Sequence, residues 1–331
     1  MQKIALVIGV TGGLGSEVAK SLLAQGWSVR GLARDPIAAK KRFPELASIE
    51  WCAGDAMRQR DVSAAASGAS LIFHGANPPG YKNWRGLAIP MLAHSVTAAK
   101  ATGARLILPG NLYNFGRDAD WLLREDTPQR PTSRKGAIRV EMEEMLHGVR
   151  SLVIRTGDFF GPHAPGSWFS NMLVKSGRPL SKITYPERSA TGHTWAYLPD
   201  IADAIARLAA IDAQLAETEV VNFRGHWLED GREMVQAIRR AAGRPDLPVK
   251  AFPWWLLYLS APVYDLSRQV LEMRYLWQRP FALDNTKLIS LIGAEPHTPL
   301  DEAVLVTLRG LGCLPDPEPD SRVVAQRVSA P

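Results

Sequence analysis

The sequence predicts an α/β protein with a doubly wound parallel sheet and a smaller C-terminal lobe. Short apolar runs alternate with helix-like segments through the first half of the chain. A glycine-rich turn separates the first apolar run from the first of those helices. With 46% hydrophobic and 22% charged residues, the 331-residue chain can bury a large core.

Six short apolar runs, each bounded by turn or helix-like segments, are predicted to be strands. They are KIALVIG, WSVRGLA, SIEWCAG, SLIFHGA, ARLILPG and SLVIRTG. Stretches such as SEVAKSLLAQG and IPMLAHSVTAAKATG have helical patterns and end at a glycine, which commonly terminates helices. Because parallel strands need helical crossovers, the alternation indicates about six βα units.

The segment VIGVTGGLGSEVA has the context that a phosphate-binding turn requires, with a strand before it and a helix after it. Gly9 permits the tight turn, Gly12 lets the backbone approach a pyrophosphate, and Gly15 allows close packing of the helix. The free N–H groups of the helix would bind the phosphates. We therefore predict a Rossmann-type dinucleotide site that includes Gly9, Thr11, Gly12, Gly13, Leu14 and Gly15.

The end of the second strand bears on the choice of cofactor. An acid at this position normally binds the ribose 2′-hydroxyl of NAD, but VRGLARDP places Arg34 there. Because an arginine pairs with a 2′-phosphate, we predict NADP as the cofactor. In the alternative, Arg34 is a solvated loop residue and Asp35 binds the ribose, which would favour NAD.

The alternation weakens beyond residue 165, where prolines and tryptophans become frequent. Residues 1–165 are predicted to form the dinucleotide-binding core and 314–331 a flexible tail. Residues 166–313 are predicted to form a mixed region, with a substrate-covering lobe and segments that return to the core. Asp200 is expected to cap a helix. The aromatic segment from Phe252 to Arg279 is expected to pack over the substrate pocket or at a subunit contact.

Composition argues against several classes of protein. The net charge is +6, but the basic residues are scattered, so we expect no nucleic-acid partner. Cys52 and Cys313 fit no metal or redox spacing, and we predict no metal site. No targeting signal is evident, and the longest apolar stretch is too short to span a bilayer. We expect a cytoplasmic protein without a membrane partner, acting on a small molecule as a homodimer.

Together these residues resemble the extended and atypical short-chain dehydrogenase/reductase superfamily, in its NAD-dependent epimerase/dehydratase branch, from Lys3 to about Gly312. GVTGGLG is similar to the TGxxG loop of that branch, although Val18 stands where extended members place a third glycine. The resemblance implies further contacts with the adenine and the nicotinamide. They are Asp55 and Ala56 in AGDAMRQRD, and Gly75, Ala76 and Asn77 in IFHGANPP.

Two segments are similar to the catalytic motifs of the same family, with changed chemistry. RLILPGNLYNFG, aligned on SSxxVYG, places Asn111 where the catalytic serine or threonine belongs. PTSRKGAIRVEMEE, aligned on PxSxYGxSKxxxE, has Lys135 in place of the tyrosine and Arg139 in place of the lysine. Four other motif positions match, which indicates that the register is correct: Pro131, Ser133, Gly136 and Glu143.

In the family mechanism the tyrosine exchanges a proton with the substrate oxygen, and the lysine holds the ribose. Here Arg139 can hold the ribose, and Lys135 can move the proton if Arg139 and burial lower its pKa. Alternatively, Arg139 and Glu143 form a surface ion pair. Tyr113 is the other candidate donor, with Asn111 polarising the carbonyl, unless Tyr113 only packs under the cofactor.

Other residues near the same edge are expected to line a substrate pocket: Tyr81, Trp84, Phe159, His163, Trp168 and His193. The function that fits these features is an NADP(H)-dependent oxidoreductase acting on a small carbonyl or alcohol. One alternative is a sugar-nucleotide epimerase or dehydratase. The other is a regulatory protein that senses NADP(H) without turnover.

Overall fold

The computed structural model describes residues 3–78, 83–164, 166–187 and 191–315. Its strands are β1 Ile4–Ile8, β2 Ser28–Ala33, β3 Glu50–Ala53, β4 Leu71–His74, β5 Arg105–Pro109, β6 Leu122–Leu123, β7 Ser151–Thr156, β8 Asp158–Phe160, β9 Ile183–Tyr185, β10 His193–Tyr197, β11 Thr218–Phe223, β12 His226–Leu228, β13 Val249–Ala251 and β14 Ala282–Leu283. Its α-helices are α1 Gly13–Ala24, α2 Pro36–Arg42, α3 Gln59–Ala66, α4 Trp84–Thr102, α5 Arg134–Glu144, α6 Leu198–Ala210, α7 Gly231–Ala241, α8 Trp254–Ser260, α9 Asp265–Glu272, α10 Tyr275–Gln278, α11 Thr286–Ile292 and α12 Leu300–Gly310.

A seven-stranded parallel sheet forms the centre of the protein, in the order β11-β7-β5-β4-β1-β2-β3. The six predicted strands are β1 to β5 and β7, so the predicted α/β fold class is confirmed. The direction of winding reverses between β1 and β4. In sheets of this kind, ligands bind outside the carboxyl ends of the strands at that reversal.

Helices cover both faces of the sheet. On one face, α6 buries Ile201, Ile205 and Leu208 at helical spacing, in a cluster that also contains Leu22 of α1. On the other face, a second cluster includes Leu92 of α4. Burial on both faces explains why the strands are continuous apolar runs.

The seventh strand, β11, was not predicted from the sequence. Its six residues pair with β7 from Thr218 opposite Ser151 to Phe223 opposite Thr156. β11 lies beyond residue 165, so the second half of the chain supplies one edge of the main sheet.

The C-terminal lobe is built around the small sheet β12-β10-β8. Phe160, Trp195 and Trp277 lie in its core, which α7 and α12 help to cover. The prediction that Asp200 caps a helix was wrong. α6 begins earlier, with Tyr197 as its N-cap, and the Asp200 carboxylate instead accepts hydrogen bonds from the backbone N–H and hydroxyl of Thr298, at 2.8 and 2.7 Å.

Candidate cofactor and active site

The glycine turn between β1 and α1 has the backbone geometry of a phosphate-binding loop. Gly9 has a φ of +87°, and a Cβ atom there would lie 2.6 Å from the carbonyl carbon of Gly75. A Cβ atom on Gly15 would collide with the carbonyl oxygen of Gly9. Both positions therefore require glycine. Val18, at the position where extended members of the resembled family have a third glycine, is fully buried in the core.

The N-terminus of α1 is available to an anion. The N-cap residue is Gly12, which has no side chain to cap the first N–H groups, and Thr11 beside it is exposed. Leu14 is half-buried in the first turn. The backbone of His163 packs against Gly13, and its imidazole lies 3.9 Å from the Glu45 carboxylate. His163 therefore lies beside the phosphate turn.

The charged residues in β2 and directly after it differ in the contacts that they make. Arg34 is exposed. The carboxylate of Asp35 caps α2 by accepting a hydrogen bond from the backbone N–H of Ala38 at 2.9 Å. Arg30 forms an ion pair with Glu50 at 2.9 Å. A contact between Arg34 and the ribose or its 2′-phosphate stays a prediction.

The loops after β3 and β4 are ordered by local hydrogen bonds. The Asp55 carboxylate accepts from the backbone N–H of Met57 at 2.9 Å. The carbonyl of Ala56 lies 2.8 Å from a ring nitrogen of His94. Gly75 donates its backbone N–H to the carbonyl of Ile8 at 2.8 Å, so this loop lies directly against the glycine turn.

The next residues of the β4 loop lead towards α4. Ala76 is half-buried, and the side-chain oxygen of Asn77 accepts a hydrogen bond from the Trp84 indole at 2.8 Å. Trp84 is only 5% exposed, so its ring packs inside the protein. Tyr81 lies outside the described residues.

Helix α5 begins where the motif alignment predicted. The hydroxyl of Ser133 caps it by accepting from the backbone N–H of Gly136 at 3.0 Å. A Cβ atom on Gly136 would collide with the carbonyl oxygen of Tyr113. This contact brings the first turn of α5, including Lys135, against the loop after β5 that contains Asn111 and Tyr113.

Lys135 is 5% exposed, and burial lowers the pKa of its ammonium group to about 8. Glu272 and Asp265 act in the opposite direction, because nearby carboxylates stabilise the charged form. We expected Arg139 to contribute to a lowered pKa, but burial is the main cause. The direction agrees with a role in proton transfer.

Arg139 lies one helical turn after Lys135 in α5. Its guanidinium donates to the carbonyl of Pro109 at 3.3 Å and lies 5.2 Å from the centre of the Trp84 ring. Glu143 does not serve as its ion-pair partner. Glu143 instead accepts from Arg155 at 2.8 Å, so this end of α5 is tied to β7.

The loop after β5 offers one amide and one phenol. The side-chain oxygen of Asn111 accepts the backbone N–H of Tyr113 at 2.8 Å, which leaves the Asn111 amide nitrogen as the group that can donate to a ligand. Tyr113 is half-buried against a cluster that includes Leu112 and Phe115. Packing and proton transfer both remain compatible with this position of Tyr113.

His74 at the end of β4 is a residue that we did not select from the sequence. It is 2% exposed, and one ring nitrogen lies 2.8 Å from the Ser95 hydroxyl. Burial, reinforced by the charge of Arg139, lowers the pKa of His74 to about 3. A neutral histidine therefore lies near Arg139. The sequence offered one indication of it, because His74 is the polar residue at the end of the apolar run SLIFHGA.

Three of the expected pocket residues pack within the C-terminal lobe or against the main core. His193 is 3% exposed, lies 2.9 Å from the Asp158 carboxylate and stacks on Trp277 at 3.9 Å. Trp168 also contacts Trp277, at 5.6 Å between ring centres. Phe159 packs against the core beneath α6. Their role as substrate contacts stays a prediction.

Within the described ranges, no three His, Cys, Asp or Glu side chains are grouped closely enough to hold a metal ion. None of the helices in those ranges is long and apolar enough to cross a membrane. The catalytic roles of Asn111, Tyr113, Lys135 and Arg139 stay predictions.

The fold and the glycine turn define a protein that binds a dinucleotide. Residues 9–131 match the family model described as NAD(P)H-binding, so this part of the chain is an NAD(P)-binding domain. Cinnamoyl-CoA reductase 1 of Oryza sativa subsp. japonica is 37% identical over 82 residues. That match covers 23% of this chain and 24% of the rice enzyme, so it concerns about a quarter of that relative's length.

Solved structures of NAD-dependent enzymes share the fold over nearly the whole chain. L-threonine dehydrogenase from Clostridium difficile is 19% identical, with a TM-score of 0.74 over 95% of this chain and 99% of that one. UDP-glucuronic acid 4-epimerase from Bacillus cereus, in complex with NAD, is 14% identical, with a TM-score of 0.73 over 95% and 100%. The resemblance to NAD-dependent epimerases and dehydratases is confirmed at the level of the fold.

Proposed function

We propose that this protein is an NADP(H)-dependent oxidoreductase that transfers hydride to or from a small carbonyl or alcohol. The observation that carries the proposal is the position of Lys135. Lys135 is buried, its pKa is lowered to about 8, and it lies at the start of α5 beside the loop that contains Asn111. A lysine in that state can give and accept protons near neutral pH.

The residues of this site suit carbonyl reduction. A nicotinamide cofactor supplies the hydride when it is bound. The Lys135 ammonium donates one proton to the oxygen that becomes the alcohol, and the lysine is left neutral. The Asn111 amide nitrogen donates a hydrogen bond to the same oxygen, and the Arg139 guanidinium binds ribose hydroxyls. In the reverse direction, neutral Lys135 accepts the proton of the alcohol.

The preference for NADP(H) is supported by the contacts of the charged residues in β2 and directly after it. Asp35 is engaged as the cap of α2, and Arg30 is engaged by Glu50. Arg34 is exposed at the position suited to a 2′-phosphate. A small-molecule substrate and a homodimeric assembly complete the proposal.

Two other functions make different demands on the same site. Several structural neighbours are sugar-nucleotide epimerases, but the tyrosine and the serine or threonine on which that chemistry relies are Lys135 and Asn111 here. A regulatory NADP(H) sensor would need only the cofactor site. Binding without turnover would favour the sensor.

The test is turnover of the purified full-length chain with NADPH and NADP⁺ against a panel of aldehydes, ketones and alcohols. We expect the reduced-nicotinamide absorbance to fall or rise with at least one substrate. Lys135→Met should abolish that change in absorbance. A sugar nucleotide converted without net change in the cofactor would favour epimerisation. Tight NADPH binding with no turnover of any compound would contradict the oxidoreductase.

A further inference from the structure

Helices α8 and α9 form a hairpin, residues 254–272, with an unusually apolar surface. We propose that this apolar hairpin is the surface through which a second copy of the same chain binds. The proposal rests on the homodimeric assembly proposed above and names its surface, and it can be tested without any substrate.

The base of the apolar hairpin is fixed to the protein. Trp254 is 6% exposed, and its indole donates to the carbonyl of Pro186 at 2.5 Å. The Arg274 guanidinium lies 4.8 Å from the Trp254 ring and pairs with Glu187 at 2.7 Å. Because the base is held in this way, the exposed side chains above it form a defined surface.

Large apolar side chains are concentrated on this hairpin. Of the twelve large apolar side chains that are exposed in the described ranges, seven lie between residues 255 and 266. They are Trp255 (62% exposed), Leu256 (47%), Tyr258 (55%), Leu259 (71%), Val263 (76%), Tyr264 (64%) and Leu266 (51%). Exposure is greatest towards the turn between the helices, so the apolar surface projects outward.

The exposed area of these seven residues is comparable with the area that one partner contributes to a standard interface. With about 150 to 250 Å² for a large side chain, these exposures amount to something on the order of 800 Å². That is roughly the area that each partner contributes to a standard protein interface, about 800 Å². It exceeds the largest apolar patch of a typical monomer, about 300 to 600 Å².

The charges around the hairpin favour a protein partner over a lipid surface. A helix that lies on a membrane carries free basic residues towards the headgroups. Here no lysine occurs between Lys250 and Lys287, and Arg268 pairs with Asp265 at 3.1 Å. Glu272 adds a second carboxylate on α9. The hairpin is rich in tryptophan and tyrosine and lacks lysine, and the cores of protein interfaces have a similar composition.

A second copy fits this surface because the surface is self-complementary. A two-fold interface places the same patch on both subunits, so apolar residues meet apolar residues. Asp265 and Arg268 lie side by side at the rim, and across a two-fold axis each could face its opposite in the partner. Arg134, the first residue of α5, pairs with Glu272 at 3.4 Å, so the interface adjoins the candidate active site.

The test is sedimentation velocity of the full-length chain over a range of micromolar concentrations. We expect a dimer for the parent and a mainly monomeric species for Leu259→Asp and for Val263→Asp, because each variant would bury a carboxylate without a partner. The dissociation constant should rise by at least about thirtyfold, as for a central interface residue. Ile37→Asp, at a residue 85% exposed on α2, should remain dimeric.

Three results would overturn the proposal. The parent could sediment as a monomer throughout, or both hairpin variants could remain dimeric while their thermal transitions match that of the parent. The parent could also float with phosphatidylcholine–phosphatidylserine vesicles while Leu259→Asp does not. That last result would make a lipid surface the partner of the hairpin.

Discussion

The charge on Lys135 depends on two opposing influences that can be separated by mutation. Burial favours the neutral amine, whereas Glu272 and Asp265 favour the ammonium. Lys135 stands where the resembled motif has a tyrosine, so the acid that we propose is a cation whose proton affinity depends on its surroundings.

The pH dependence follows from that pKa. Carbonyl reduction needs protonated Lys135, so its rate should be constant below about pH 8 and fall above it, whereas alcohol oxidation should rise through the same range. Glu272→Gln removes a charge that stabilises the ammonium, so both limbs should move to lower pH. Initial rates measured across pH in both directions test this. If the pH–rate profiles of Glu272→Gln match those of the parent, the group that titrates is not Lys135.

Lys135 and Arg139 should contribute to different steps. Lys135→Met should lower turnover by about 10²- to 10⁴-fold and leave NADPH affinity nearly unchanged, because it removes only the proton donor. Arg139→Ala should chiefly weaken NADPH binding. Steady-state kinetics with fluorescence titration measure both. If Tyr113→Phe loses turnover while Lys135→Met retains it, the loop tyrosine is the donor.

Arg34 should determine the choice between the two cofactors. Arg34→Ala should weaken NADPH binding by about tenfold to a hundredfold and change NADH binding little, since one charge-assisted contact with the 2′-phosphate is lost. Lys41→Ala, at another exposed cation on the helix that follows, is the control. Calorimetric titration of both cofactors checks this. Equal losses for NADPH and NADH would remove the proposed role of Arg34.

At the scale of elements, α5 shows how a motif is held in register. Ser133 caps its start, Gly136 lets its first turn touch the backbone of Tyr113, and Glu143 ties its end to Arg155. These three residues are motif positions that match, while Lys135, Ile138 and Arg139 differ from the motif. The helix therefore retains the contacts that position it.

Gly136→Ala tests the close approach of α5 to the loop after β5. The added methyl group would collide with the carbonyl of Tyr113, so the helix must shift. We expect a loss of about 1 to 3 kcal/mol in the free energy of unfolding, as for an overpacked core. Ala137→Gly, at the exposed residue that follows, should cost about 1 kcal/mol and retain NADPH binding. Chemical denaturation compares both variants with the parent, and a Gly136→Ala variant as stable as the parent would rule out the steric contact.

Local signals account for what could be predicted from the sequence. The apolar runs specified six strands, and the glycine spacing specified the phosphate turn, because each depends on neighbouring residues. The carboxylate of Glu272 near Lys135 could not be predicted, since it comes from a helix far along the chain. Asp200 was misassigned because a helix start and a distant hydrogen bond use the same residue type.

At the scale of the whole molecule, the two halves of the chain share one sheet. β11 forms an edge of the main sheet, and α6 packs against α1 in its core. A cut at residue 165 would remove both. The boundary at residue 165 that we predicted from the sequence therefore divides elements that pack in one sheet and one core.

A fragment of residues 1–165 tests this arrangement. Without β11 and α6, the fragment loses an edge strand and much of one apolar layer, so we expect weak near-ultraviolet circular dichroism and no cooperative thermal transition. The full-length chain, as the reference, should unfold in one transition that NADPH raises. A fragment that melts cooperatively and binds NADPH would show that the N-terminal half is an independent domain.

The pairing of β7 with β11 also has a consequence during synthesis on the ribosome. β7 is buried along its whole length in the finished protein, yet its partner is translated about 60 residues later, a delay of several seconds at about 5 to 20 residues per second. For that interval the nascent chain presents an unpaired apolar strand edge, which is a template for aggregation. Chaperone binding to stalled nascent chains should therefore peak for lengths at which β7 has left the ribosome and β11 has not.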